Sequence, residues 1–382
     1  MTYSHALGAW MVSRYDDILA ILRDPGRFSS SGSIPSFYDN PPEVLQALES
    51  CIPTASTVVD ADPPAHTWMR KILNRAFSAR RINAMQPVIR ELAEALIDSF
   101  AADGHVDLVS RYANPLVMTV VSLLFGVPRE DIARVQAWTD DLVLLWNPME
   151  PVEAKLPAAR RMVEYEQYIE ALMAERRARP QDDILSDLLH GHGHDQELEP
   201  LPDAVVLYFF RGARLAGHDT TRDLITSTVL LMQTHRQHWD AACADPRVLP
   251  EIIEEALRLE APHKGLMRTT TEELELAGQV LPKGARLLLL FGSANRDETR
   301  FASPDTFDVA RKNVSEHLAF GKGIHICSGA HIARVEARIA LETLTQRLPS
   351  LTLAPEFSPS YIASFLFHGL EQLDVRWEAA TT

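Results

Sequence analysis

Between Leu201 and Thr234 apolar residues recur at helical spacing behind Pro202 and Asp203, two residues suited to a helix start. About thirty residues at 1.5 Å each span roughly 45 Å, so this one helix crosses a whole domain and whatever folds around it must be wide enough to house it. Gly217 and the pair Thr220-Thr221 are poor choices for its interior. A weak spot tolerated in a core helix accounts for them. So does a turn widened to face a bound group, with Thr220 bonding back to a carbonyl one turn earlier.

Helical spacing also marks 82–100, 160–179 and 330–348, and strand-like runs occur at 10–13, 274–280 and 285–291. The proline-rich places at 40–42, 62–64 and 148–151 read as loops between helices. A length of 382 residues on its own allows two or three domains. No repeat, low-complexity tract or linker divides the chain, so the expectation is one mainly α domain with small β-sheets spanning 1–382.

Thirty-seven basic residues against 52 acidic ones leave a net charge of −15, which argues against non-specific nucleic-acid binding but leaves room for a local basic patch. No run approaches the length of apolar chain that a membrane span needs, and the start MTYSHALGAW has neither part of a signal peptide. Cys51, Cys243 and Cys327 stand far apart without a CxxC pair. Reduced thiols and a cytoplasmic location are expected, with neither a disulfide framework nor a conventional zinc site.

Cys327 lies in FGKGIHICSG, residues 320–329, where three glycines surround one thiol. The stretch is neither a phosphate loop nor a dinucleotide fingerprint, since Ile326 occupies the place of the third glycine. Zinc would need a second ligand pair beyond His325 and Cys327. A buried inert cysteine remains one reading. Against it, Gly321 and Gly323 permit unusual backbone angles and close approach of a flat group, and a helical run follows the cysteine directly. A thiol ahead of a helix N-terminus is favoured as thiolate, which is what an axial sulfur ligand to haem iron requires.

FGKGIHICSG resembles the haem-binding pattern of the cytochrome P450 family, Phe-Gly-x-Gly-x-His-x-Cys-x-Gly, at every fixed position. Ser328 and Ile332 depart from leucines common in bacterial members. Further resemblances follow in the family's order. Glu255-Ala256-Leu257-Arg258 is similar to the ExxR motif, completed by Arg311 after Pro304-Asp305-Thr306-Phe307. The resemblance makes these three charges a structural triad. AGHDTT, from Ala216 to Thr221, resembles the acid–alcohol segment. By that likeness Asp219 and Thr220 organise proton delivery during oxygen activation, and Ala216 and Gly217 lie against the cofactor.

In DPPAHTWMRKILNRAFSARR, His66 and Arg70 share a helix face at i, i+4. A solvated face is the plain reading, whereas the resemblance assigns both to the haem propionates, aided by Arg268 and His325. Phe320, Gly321 and Gly329 would complete the cofactor contacts around Cys327. Arg70, Lys71, Arg75, Arg80 and Arg81 form an acid-free basic run, either a solvated face or a dock for an acidic electron donor such as a ferredoxin.

The likeness runs from about Trp10 to Trp377. Family members usually carry tens of residues before the segment matching Trp10, so a shortened N-terminal sheet is expected. It implies the P450 fold, with haem between the long central helix and the cysteine loop. It further implies haem b, molecular oxygen as co-substrate, and NAD(P)H used only through separate redox partners, since no flavin or ferredoxin segment is fused. The implied activity is a soluble bacterial-type monooxygenase acting on an organic small molecule, as in secondary metabolism. A non-hydroxylating or peroxide-driven relative is the alternative, and a haem-based sensor a further one. Asp219 and Thr220 together disfavour peroxide use. Phe37, Leu215, Leu266 and Phe365 offer apolar substrate contacts. Lys264 either meets a polar end of the substrate or snorkels to solvent.

Overall fold

The computed structural model of the chain describes residues 1–33, 40–51, 55–146, 150–191, 198–364 and 366–378, with the side chains of Trp146 and Leu215 left aside. By its internal contacts the chain forms two compact units. One comprises residues 1–29, 79–117 and 217–382, the other 30–78 and 118–216. The long helix, Asp203–Thr234, contributes to each, changing membership between Ala216 and Gly217.

In the first unit a five-stranded sheet orders its strands Thr2–Ser4, Ala9–Val12, Arg286–Leu290, Gly265–Thr270 and Phe28–Ser29. The central strand, RLLLL, is buried over Leu287, Leu288 and Leu289, as a strand covered on both faces should be. Ala9–Val12 runs parallel to it in the register Trp10↔Leu287, and Gly265–Thr270 runs antiparallel in the register Arg268↔Leu287. The edge strand Thr2–Ser4, pairing Thr2 with Met11, supplies sheet where a shortened N-terminus was expected. Val12, Tyr15, Ile18, Ile21, Phe291, Phe301 and Leu318 gather into one apolar core against this sheet. Each such burial contributes on the order of 1.5–3 kcal/mol.

The strand expected over 274–280 is instead a hairpin, Leu274–Leu276 with Gln279–Leu281. Ala277 and Gly278 both take left-handed backbone (φ 49° and 74°), the requirement of a tight two-residue hairpin turn. The helices Ala330–Arg347 and Ala79–Asp98 pack together. Polar ties reinforce the packing: Arg338 donates to Gln86 at 3.0 Å, Arg90 pairs with Glu342 at 2.9 Å, and the Tyr112 hydroxyl donates to the Ala340 carbonyl at 2.8 Å. The helix following Cys327 is thereby fixed along its length.

The second unit is helical, with Pro42–Ala47, Ala65–Ala76, Ile132–Trp146, Val152–Ala178 and Ile184–His190. Prolines open several of these helices, in keeping with the proline-rich loops expected between them: Pro41, Pro64 and Pro151 occupy the N-cap positions. Aromatic contacts make much of the packing, with Trp138 stacked on Tyr165 at 5.1 Å and Phe125 edge-on to Phe210 at 5.5 Å. A buried Arg176–Asp183 pair (2.6 Å) holds the end of Val152–Ala178 to the cap of the next helix. Among the described residues no helix is long and apolar enough to cross a membrane.

Candidate active site

Cys327 ends an irregular loop entered through Phe320 and Gly321. The Cys327 amide donates to the Phe320 carbonyl at 2.9 Å, closing the loop on itself, and a tight turn at Gly323–His325 fills it. Gly321 and Gly323 both take left-handed backbone, φ 66° and 74°. Their uses differ. A Cβ on Gly323 would lie 2.0 Å from the Leu22 carbonyl oxygen, so this glycine lets the loop press on the end of the helix Tyr15–Arg23 rather than serving the cofactor face, where the sequence pattern puts both glycines. At Gly329 a Cβ would make ordinary contact, 3.8 Å from both the Cys327 sulfur and the Ile332 side chain, so this residue lies directly beside the thiol. Helix Ala330–Arg347 begins just beyond, with Arg334 stacked over the Phe320 ring at 4.5 Å.

The three cysteines are unlike one another. Burial pushes the Cys51 thiol up to about 12, with the nearby Glu166 charge adding to it, and burial raises Cys243 as well. Cys327 is exposed. Among the described residues no cluster of three His, Cys, Asp or Glu side chains is set to hold a bare metal ion. An accessible thiol just ahead of a helix suits a metal that arrives with its other ligands supplied, as in haem. The residues present therefore fit that group.

On the long helix the ladder stays α-helical through Gly217, and the expected widened turn is absent from it. Side chains there also bond sideways to one another. His218 Nε2 meets Asn114 Oδ1 at 2.6 Å, and Asp219 Oδ1 receives Arg222 Nη1 at 2.9 Å with His218 Nδ1 at 3.2 Å. Burial raises the Asp219 carboxyl, but the His218 bond and the Arg222 charge outweigh it and hold the group below the ordinary aspartate range. Thr220 is half-buried, while Ala216 is exposed between the buried Arg214 and His218.

Arg222 and Asp223 fall just beyond AGHDTT and outside the motif's reach. The signal that could have found them is a guanidinium three residues after Asp219 on one helix face. Asp223 is wholly buried, takes Arg222 Nε and Nη2 on Oδ1 at 2.8 Å, and has no partner for Oδ2 among the described residues. Burial pushes its carboxyl up to about 7, with the neighbouring Asp219 charge adding to the rise and Arg222 and His368 opposing it. Glu336, on the helix after Cys327, is also sealed in, and burial lifts it well above the usual range. Nothing in its local pattern marks it.

Glu255, Arg258 and Arg311 come together. Arg258 grips Glu255 with two bonds of 2.8 Å, and Arg311 Nε reaches both Glu255 oxygens at 3.1 and 3.2 Å. All three are buried. The arginines also hold the carbonyls of Asn295, Ala302, Ser303, Pro304 and Thr306, fastening the segment that leads to the cysteine loop.

Other predicted residues stand as follows. In the second unit His66 is buried and Arg70 donates to Asn74 at 2.9 Å, both on Ala65–Ala76. In the first unit Arg268 is buried, donating to the Met267 carbonyl at 2.7 Å, and His325 is half-buried. Of the basic run, Lys71 and Arg80 are exposed and Arg70 and Arg75 half-buried. Arg81 is buried, so its charge is withheld from any docking partner, a correction to the expected patch. Lys264 is half-buried, and its amine donates to the Ser364 carbonyl at 2.7 Å. Leu266 packs on the sheet core. Phe37, Phe365 and the Leu215 side chain lie outside the described residues.

An exposed cysteine at the head of a helix, an acid–alcohol pair on the long helix and a buried Glu-Arg-Arg knot are the features that the haem-thiolate oxygenase resemblance leads one to expect. Comparison places the chain more closely. The family description "Cytochrome P450" matches residues 13–359, and the chain belongs to that family. It is 36% identical over 377 residues to cytochrome P450 107B1 of Saccharopolyspora erythraea, covering 97% of this chain and 90% of that one. It is also 36% identical to the erythromycin C-12 hydroxylase of the same organism, over 91% of this chain and 83% of the relative. Among solved structures, the Tepidiphilus thermophilus P450 heme domain superposes with a TM-score of 0.89 at 31% identity, covering 100% of this chain and 91% of that one. The fold is that of the P450s, and the chain is a haem-thiolate monooxygenase that uses molecular oxygen, a small-molecule substrate and redox partners.

Proposed function

We propose that residues 1–382 act as one haem domain, that the haem is haem b, and that Cys327 is its axial ligand within the cradle of Phe320, Gly321 and Gly329. Bound there, the group supplies activation of molecular oxygen and insertion of one atom into an organic small molecule. The chain's own residues then have separable tasks. Ala216 and Gly217 present a flat, small-residue surface. His66, Arg70, Arg268 and His325 bind the carboxylates of the group, as charge-assisted donors do. Asp219 and Thr220 hold and pass protons at Oδ and Oγ. Glu255, Arg258 and Arg311 keep the approach to the cysteine loop rigid.

The observation that carries this reading is the exposed Cys327 thiol at the end of a self-closed loop, at the head of the helix Ala330–Arg347. Its test is the absorption difference spectrum of the reduced protein with and without carbon monoxide. The red-shifted Soret band of thiolate ligation is expected, and its loss in Cys327→Ala with retained folding. A wild-type band of the imidazole type would refute the assignment.

Electrons come from NAD(P)H through a separate ferredoxin-like donor, in the cytoplasm, with Lys71 and Arg80 offering the exposed charge for docking. The rate of haem reduction by such a donor should fall with salt. Lys71→Glu should lower it further, by about tenfold at low ionic strength. A salt-independent rate would remove the electrostatic dock.

A further inference from the structure

Two carboxylates on the long helix share one guanidinium. Arg222 gives Nη1 to Asp219 and both Nε and Nη2 to Asp223. Asp219 has a further donor facing it in His218, and it retains some exposure. Asp223 has neither. No part of it reaches solvent, and its Oδ2 finds no donor among the described residues. A wall stands against it: a Cβ on Gly369 would fall 2.2 Å from the Asp223 carboxylate, so the chain there lies directly on the group. The groups that face Asp223 are Arg222 and Asp219 from its own helix and His368 from the packed segment. His368 is itself bound to Glu260 at 2.6 Å and stacked on Tyr361.

An oxygen sealed from water and offered no donor is a costly place for half a negative charge, whereas a proton on it removes most of that cost. We infer that Arg222 and Asp223 are positioning residues for Asp219: Asp223 carries a proton on Oδ2 and so leaves the Arg222 charge to Asp219, and its ionisation draws the guanidinium away. This rests on the reading of Asp219 as the proton-delivering acid. The lift of the Asp223 carboxyl to about 7 agrees with the geometry. Coupled turnover, product formed per NAD(P)H consumed, then falls as pH rises through neutrality, with the balance lost as peroxide. In Asp223→Asn, which cannot ionise, that fall is absent.

Stability follows the same proton. An unfolded aspartate releases it near about pH 4, the folded Asp223 only near about 7. The unfolded state therefore binds fewer protons in between. The stabilisation is complete below about pH 4 and is lost as pH rises to about 7. Asp223→Asn should gain melting temperature over the wild type progressively across that window and keep a constant difference above it.

The deciding experiment is infrared spectroscopy of the holoenzyme. The wild-type minus Asp223→Asn difference should show the carbonyl stretch of a protonated carboxylic acid at about pH 6, shifted down in deuterium oxide and gone by about pH 8.5. His218 and His368 are common to both proteins and cancel. Asp219→Asn frees Arg222 for Asp223 and should lower the midpoint by about one pH unit. Arg222→Met, or Arg222→Lys if methionine is not tolerated, should raise it. Absence of the band at about pH 6, or a midpoint that moves with neither substitution, overturns the inference. None of these bands depends on turnover. If Asp219→Asn retains full coupling, the proton-delivery reading fails instead, while the infrared shifts still uphold or overturn the shared clamp.

Discussion

Arg258 and Arg214 are both sealed from solvent, one in the unit that carries Cys327 and the other in the helical unit, yet their surroundings have little in common. Every N–H of Arg258 has an acceptor: Glu255 takes two, and the carbonyls of Asn295, Pro304 and Thr306 take the rest. Among the described residues Arg214 donates to Ser122 Oγ at 2.9 Å and to the Met118 sulfur at 3.0 Å, lies against the Tyr165 hydroxyl, and has no acceptor for its Nε. Burial lowers its affinity for its proton, and Tyr165 and Tyr168 are what face it. A buried charge is tolerated where its partners replace water completely, and it is a liability where they do not. The first arrangement fastens a loop near the cysteine. The second fastens nothing that a neutral chain would not.

Substitution should separate the two. Glu255→Gln leaves Arg258 and Arg311 with uncompensated charge in a dry site, and should cost about 3–5 kcal/mol in chemical denaturation. A loss below about 1 kcal/mol would mean that the carbonyls alone suffice for these arginines. Arg214→Met, which fills a similar volume without charge, should be neutral or stabilise by up to about 2 kcal/mol. A clear loss of melting temperature in that variant would erase the contrast and point to a counter-charge for Arg214.

Legibility in the sequence divides along the same line. FGKGIHICSG, the ExxR pair and AGHDTT are local in sequence, with fixed spacings that carry their chemistry, and each is legible from the residues alone. The helices are legible too, because long periodic runs survive errors at their ends. The hairpin over 274–281 is not, since Ala277 adopts a left-handed backbone that alanine seldom takes. Arg81 reads as surface because a helix pattern does not reveal which arginine turns inward. Asp223 carries no mark because its environment is made by Gly369 and His368, far along the chain, and no spacing rule joins them. Local motifs announce what a site contains. Its protonation is set by residues that topology brings in from afar.

Gly323, pressed on the Leu22 carbonyl, has a consequence for how the protein opens and closes. The sulfur-bearing loop abuts a helix from the other end of the chain, so it cannot reach its final shape until the two ends have met. Such a contact is non-local in the extreme, and its loop-closure entropy has to be met before it stabilises anything. In the native state the loop around Cys327 and the helix Tyr15–Arg23 are expected to open together, which amide hydrogen exchange would show as matched protection of the two.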